Sequence, residues 1–233
     1  MRVLSLFSGI GGFDLGLERA GMTVVAQAEN DAYCLKQLAR HWPDVARYED
    51  VRSVGLREPV CAERSRRPGA GSATAEGRER ADGEGRLGTV DLVCGGFPCQ
   101  DLSVAGKRAG LDGARSGLWF EFHRIVRELR PKYVLVENVP GLLSSSDGRD
   151  FGTVVTGLGE LGYAVSWAVL DSQHFGVPQR RRRVFIVAGP DPESCEQILS
   201  IREGCGGHLA ASRTQGEDVA GEAGIGLAKP LLS

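Results

Sequence analysis

The feature that most constrains the fold is an exchange of two periodicities that repeats from the first residues onward. Residues 3–7, VLSLF, are a short apolar run that stops at Ser8-Gly9. A run this short and continuous reads as a strand covered on both faces in a parallel sheet. From Gly12 to Ala20 the spacing becomes helical, with Phe13, Leu15, Gly16, Leu17 and Ala20 on one face and Gly21 closing the segment. TVVAQA at 23–28 returns to a strand and ends in Glu29-Asn30-Asp31, where Asp31 is suited to cap a helix over 32–41. The order β-α-β-α implies an α/β fold built on a doubly wound, mostly parallel sheet.

The same alternation resumes later. VDLVC at 90–94 and YVLV at 133–136 read as buried strands, with an amphipathic helix from Ser116 to Leu129 between them, stopped before Pro131. Residues 150–161 suit a helix weakened by glycine, and 163–170 and 183–188 read as a final pair of strands. Residues 62–86 break the pattern. They hold no Val, Leu, Ile or aromatic residue, and six Arg face five acidic residues. Such a segment buries too little apolar surface to offset its ordering entropy, so a disordered insertion loop is expected. From about residue 191 the periodicity fades into a Gly/Ala-rich tail.

Composition narrows the function. A formal net charge of −2 argues against a uniformly basic nucleic-acid binder but permits a local basic patch. No run approaches the roughly 18 apolar residues of a membrane span. The opening MRVLSLFSGIGGFDLG is short, Gly-rich and without a small-residue cleavage site, so it reads as strand and turn, and a cytoplasmic location is expected. The six cysteines have no framework spacing and no CxxC pair, which points to reduced thiols and no metal.

Four stretches carry candidate chemistry. The first, Phe7-Ser-Gly-Ile-Gly-Gly-Phe13, is a Gly-rich turn between strand and helix, either a simple tight turn or a close approach to a cofactor. Glu29, at the end of the second strand, is placed to bind ribose hydroxyls, and Asp50 either receives an adenine amine or caps a helix. The second is CGGFPCQ. Cys94 ends a strand and reads as a buried hydrophobe, whereas Cys99 follows a loop shaped by Gly95, Gly96 and Pro98 and is a candidate nucleophile. The third is ENVPG, where Glu137 ends an apolar strand, a costly place for a carboxylate without a use, so it is either a site group or a helix or turn cap. The fourth is Gln179-Arg180-Arg181-Arg182-Arg183. Read as a strand, it sends Arg181 and Arg183 to one side and Arg180 and Arg182 to the other, toward solvent or phosphate.

Taken together, FSGIGGFDLG, AEN, YEDV, GGFPCQDLSVAGKRAGL, SGLWFEF, ENVPGLL and PQRRRRVFIVA resemble, in order, the motifs of bacterial and phage-type DNA (cytosine-5)-methyltransferases. The resemblance covers roughly residues 1–190, apart from 62–86. It implies a Rossmann-like S-adenosyl-L-methionine-dependent methyltransferase fold that transfers a methyl group to C5 of cytosine in double-stranded DNA. It further implies Cys99 as the nucleophile toward C6 of a flipped base, Glu137 as the group that holds the pyrimidine edge and protonates its ring nitrogen, and Asn138 and Gln100 as supports of the catalytic loop. Arg181 and Arg183 would line the base pocket. Phe7, Gly9, Ile10, Gly11, Gly12, Glu29, Asp50, Val51, Pro98 and Leu118 would form the S-adenosyl-L-methionine pocket. A cognate restriction endonuclease is a further partner that such a role suggests.

The sequence also departs from the family. An aromatic residue often follows the ribose-binding acid, and here the position is Asn30. Family members usually continue into a target-recognition region and a Gly-Asn-Ala/Ser-Val segment, and neither pattern occurs in residues 191–233. The expected division is therefore a catalytic domain over 1–190 and, over 191–233, the start of a target-recognition region cut short or a flexible tail. Two other readings compete: a non-catalytic remnant or subunit that needs a second chain, and a tRNA cytosine-5 methyltransferase.

Overall fold

The computed structural model describes residues 1–55, 87–98, 117–200 and 226–228. They fall into two compact units, one of residues 1–94 with 128–131, the other of residues 95–127 with 132–233.

The first unit realises the opening pattern. Its strands are β1 (Arg2–Leu6), β2 (Thr23–Ala28), β3 (Ala46–Tyr48) and β4 (Leu92–Gly95), in the order β3-β2-β1-β4. β1 pairs parallel with β2, and β2 parallel with β3. Helices α1 (Gly12–Arg19) and α2 (Ala32–His41) connect them. Asp31 caps α2 as expected, its carboxylate accepting from the Cys34 amide at 2.8 Å. Val3, Leu4, Leu6 and Ala26 are fully buried, which is why these strands read as continuous apolar runs.

The second unit holds α3 (Leu118–Leu129), β5 (Tyr133–Asn138), α4 (Arg149–Glu160), β6 (Ala164–Asp171), β7 (Arg182–Gly189), α5 (Pro192–Leu199) and β8 (Gly226–Ala228). Its strand order is β5-β7-β6-β8. β7 runs antiparallel to both β5 and β6, so those two share a direction with one reversed strand between them. The sheet expected from the sequence is thus doubly wound and mostly parallel, with the reversal confined to its later part.

Two local expectations are corrected. Periodicity gave no helix after residue 190, yet Pro192–Leu199 form α5. Its signals are short-range: Asp191 caps it by accepting from the Ser194 amide at 2.8 Å, and Pro192 fills the first turn. Cys195 anchors it, fully buried against Ala164 and Val187. The second correction concerns the arginine run. β7 begins only at Arg182, so Arg180 and Arg181 lie in the preceding loop and strand alternation does not govern them. The insertion expected over 62–86, together with Cys99 and Gln100, lies outside the described residues.

Candidate active site

In the first unit the turn after β1 is built by backbone geometry. Phe7, Gly9 and Gly11 all take left-handed conformations, with φ of 53°, 55° and 89°. Gly11 has no alternative, because a Cβ there would collide with the Trp42 ring and stand 3.2 Å from Leu38 Cδ2. Phe7 is not glycine, so its left-handed backbone is strained and must be held by what surrounds it. The Ser8 amide donates to Ala28 O at 3.1 Å and the Gly11 amide to Ser8 O at 2.9 Å.

Glu29 is the latch of this turn. Its Oε2 accepts from the Gly9 amide at 2.7 Å, and its Oε1 accepts from the Asn30 and Asp31 amides, each at 2.9 Å. Asp50 caps the short turn Val51–Ser53 by accepting from the Arg52 amide at 2.9 Å, so its capping role is realised, and Val51 beside it is buried. Ile10 lies 63% exposed at the tip of the turn, and a Cβ at Gly12 would meet nothing within 4 Å. An open Gly-rich turn, an exposed apolar side chain and acids at the ends of β2 and β3 suit a ligand with an apolar ring, hydroxyls and an amine. The residues fit an adenosine-bearing cofactor.

Beneath the turn lies a cluster that sequence reasoning missed. Asp14, in the first turn of α1, is fully buried, accepting from Ser5 Oγ at 3.0 Å and Gln27 Nε2 at 2.8 Å. Burial raises its carboxyl above the ordinary value, and the hydrogen bonds from Gln27 and Ser5 counter this in part. Cys94 is fully buried, and burial and the nearby Asp14 push its thiol well up. A polar residue every nine to thirteen positions gives no periodic signal, which is why the cluster was not legible.

In the second unit the site is built from side chains. β5 alternates strictly, placing Val134, Val136 and Asn138 on its buried side and Glu137 on the other. Asn138 Nδ2 donates to Phe97 O at 2.9 Å, and Asn138 Oδ1 accepts from the Val139 amide at 2.8 Å. This ties the end of β5 to the chain entering Pro98. Phe97 is itself gripped by Trp119 and Phe122, with ring centroids at 5.2 and 6.3 Å. Pro98 is exposed, and half-buried Leu118 opens α3.

Glu137 stands across from Phe185 of β7, and Arg183 is the diagonal neighbour on the same face. Arg183 Nε donates to Glu137 Oε1 at 2.8 Å. The other carboxylate oxygen faces Gly96, where a Cβ would lie only 2.7 Å from it. Gly96 therefore serves by its lack of a side chain rather than by an unusual backbone path, since its φ is not positive. Of the expected base-pocket residues, the fold unites Glu137 and Arg183, whereas Arg181 is exposed. Among the described residues no cluster of three or more His, Cys, Asp or Glu could hold a metal ion, and no helix is long and apolar enough to cross a membrane.

The family model for C-5 cytosine-specific DNA methylases matches residues 1–60 and 67–202. The chain belongs to this family. Type II methyltransferase M2.BsuMI of Bacillus subtilis is 35% identical over 204 residues, 86% of this chain and 45% of that protein. Type II methyltransferase M.AquIA of Picosynechococcus is 38% identical over 195 residues, 80% of this methylase-family chain and 71% of that protein. Among solved structures, a putative DNA modification methyltransferase encoded within an Escherichia coli prophage superposes with a TM-score of 0.55 at 23% identity, covering 81% of this chain and 46% of that one. Spodoptera frugiperda DNMT2 superposes with a TM-score of 0.56 at 19% identity, covering 82% and 50%. The chain spans about half the length of most of these relatives.

Proposed function

We propose that this chain transfers a methyl group from S-adenosyl-L-methionine to C5 of cytosine in double-stranded DNA. The observation that carries the reading is the placement of Glu137, braced by Arg183 at 2.8 Å and given room by Gly96, at the strand end that Asn138 ties to the carbonyl of Phe97, two residues before Cys99 in the sequence.

Cytosine C5 is a poor nucleophile. A thiolate from Cys99 adds to C6 of the base, forming a C–S bond and pushing the ring electrons toward C5 and N3. Glu137 supplies a proton at N3 as that charge develops, and Arg183 fixes the carboxyl group that does so. When bound, S-adenosyl-L-methionine supplies an electrophilic methyl group on a sulfonium. Once C5 carries the methyl group, loss of the C5 proton to solvent, return of the N3 proton to Glu137 and departure of the Cys99 thiolate restore the neutral aromatic ring. A duplex hides C6 and N3, so the base must leave the stack to meet these groups.

In this reading Glu29, the Phe7–Gly12 turn, Asp50, Val51, Pro98 and Leu118 are the cofactor-binding residues. Gln100 and Asn138 support the loop that bears Cys99, and Arg181 joins Arg183 at the base. Residues 1–190, extended by α5, form the catalytic domain in this reading. The protein works in the cytoplasm as the modification partner of a restriction endonuclease.

The test is incubation of the purified chain with duplex DNA of varied sequence and S-adenosyl-L-methionine carrying a labelled methyl group, followed by nucleoside mass analysis. Labelled 5-methylcytosine that disappears in Cys99→Ser is the expected result. Label on another base, or on cytosine with Cys99→Ser fully active, overturns the reading.

A further inference from the structure

Arg183 sits at the outer end of β7, where the core does not grip the strand. The buried positions of β7 begin at Val184, and every residue from Gln173 to Arg182 is exposed. Register in a sheet is ordinarily fixed by which side chains are buried, and that control ends one residue short of Arg183. Something local must set where this strand starts.

Asp171 and Ser172 supply that control. Asp171 ends β6 and pairs directly with Arg182, so residues 172–181 form an excursion whose two ends meet here. Asp171 Oδ1 accepts from the Arg181 amide at 3.1 Å and from the Gln173 amide at 3.2 Å. The Ser172 amide donates to Arg181 O at 3.0 Å, and Ser172 Oγ donates to Gln179 O at 2.5 Å. The last residue before β7 is thus clamped through both its amide and its carbonyl. Two residues on, Arg183 sends one nitrogen to Arg182 O and Nε to Glu137, each at 2.8 Å. A planar guanidinium held at two points tolerates little movement of its own backbone.

We infer that Asp171 is a positioning residue: its carboxylate oxygen fixes the start of β7 and so sets Arg183 against Glu137. The consequence for catalysis rests on the reading of Glu137 and Arg183 as the base pocket. Asp171 touches neither substrate nor cofactor in this account.

The experiment follows the Arg183 Nε–H proton by nitrogen-edited NMR in the full chain, alongside adduct formation on 5-fluorocytosine duplex. In Asp171→Ala the Arg183 Nε–H exchanges at least about tenfold faster than in the native chain. Adduct formation slows by roughly tenfold to a hundredfold, as misplacement of a catalytic group does. Cofactor affinity is unchanged, which separates this loss from unfolding. Asp171→Asn keeps an acceptor oxygen and restores both readouts. If Asp171→Ala does not fold, Asp171→Glu, which moves the acceptor by one methylene, shows the same loss. A native Arg183 Nε–H in Asp171→Ala or Asp171→Glu overturns the inference, as does Asp171→Asn behaving like Asp171→Ala. If the NMR result is as expected but the native chain forms no adduct, Asp171 still positions Arg183 and it is the base-pocket reading that fails.

Discussion

The two units are built by different means. The first shapes a turn with backbone: three left-handed residues, Phe7, Gly9 and Gly11, and one carboxylate, Glu29, that accepts from the Gly9 amide. The second aims side chains: Glu137 and Arg183 on adjacent strands, and Asn138 reaching Phe97 O. A backbone-built cradle suits a ligand held the same way in every turnover. A side-chain site suits groups that must donate or accept a proton during the reaction. The difference teaches that damage to the first unit should appear as lost cofactor affinity or stability, and damage to the second as lost chemistry.

The sharpest way to break this comparison is Glu137→Gln. It keeps the shape but removes the acid, so methyl transfer should fall by about a hundredfold or more. Cofactor affinity, measured by calorimetry, should stay within twofold. A parallel loss of affinity would mean that the two units do not divide the work.

Gly96→Ala is the next largest. Its Cβ would lie 2.7 Å from Glu137 Oε2 and 3.2 Å from Glu137 O, so the carboxylate must move. Transfer should slow about tenfold or more with the fold intact, read by single-turnover kinetics. Gly11→Ala acts on the other unit. The collision with Trp42 and a φ of 89° should cost about 1–3 kcal/mol of stability and weaken cofactor binding, both visible in thermal melts with and without cofactor.

Asp14→Asn gives the smallest effect and sharpens the account of the first unit's base. The unfolded chain loses this proton near 3.8, whereas burial keeps it on the folded protein to higher pH. Between those two values the unfolded state binds fewer protons, so this group lowers stability as pH rises through the window. Asp14→Asn should flatten that slope in denaturant titrations across the acidic range. An unchanged slope would mean that Asp14 stays ionised inside the fold.

Legibility followed the same division. Alternation of strand and helix was visible because buried strands and amphipathic helices each have a period, and Asp31 announced α2 by its own chemistry. Glu137 was legible because a carboxylate at the end of an apolar strand is costly without a use. Its partner Arg183 was named only through the family resemblance, since the pairing of β5 with the reversed β7 sets it beside Glu137 and no short-range signal encodes that reversal. The Asp14 cluster and the Asp171 clamp escaped for a related reason. Both are made by single polar residues meeting across elements, and spacing along the chain does not record them.

The most direct test of the central claim is covalent capture. The chain, S-adenosyl-L-methionine and duplex DNA carrying 5-fluorocytosine are mixed, denatured and mapped by peptide mass analysis. The fluorine cannot leave as a proton does, so a competent enzyme is held on the base after methyl transfer. The account predicts a methylated fluorocytosine nucleotide bonded to Cys99 and none in Cys99→Ser. A folded chain that binds cofactor and DNA yet forms no adduct, or an adduct that persists in Cys99→Ser, would contradict it.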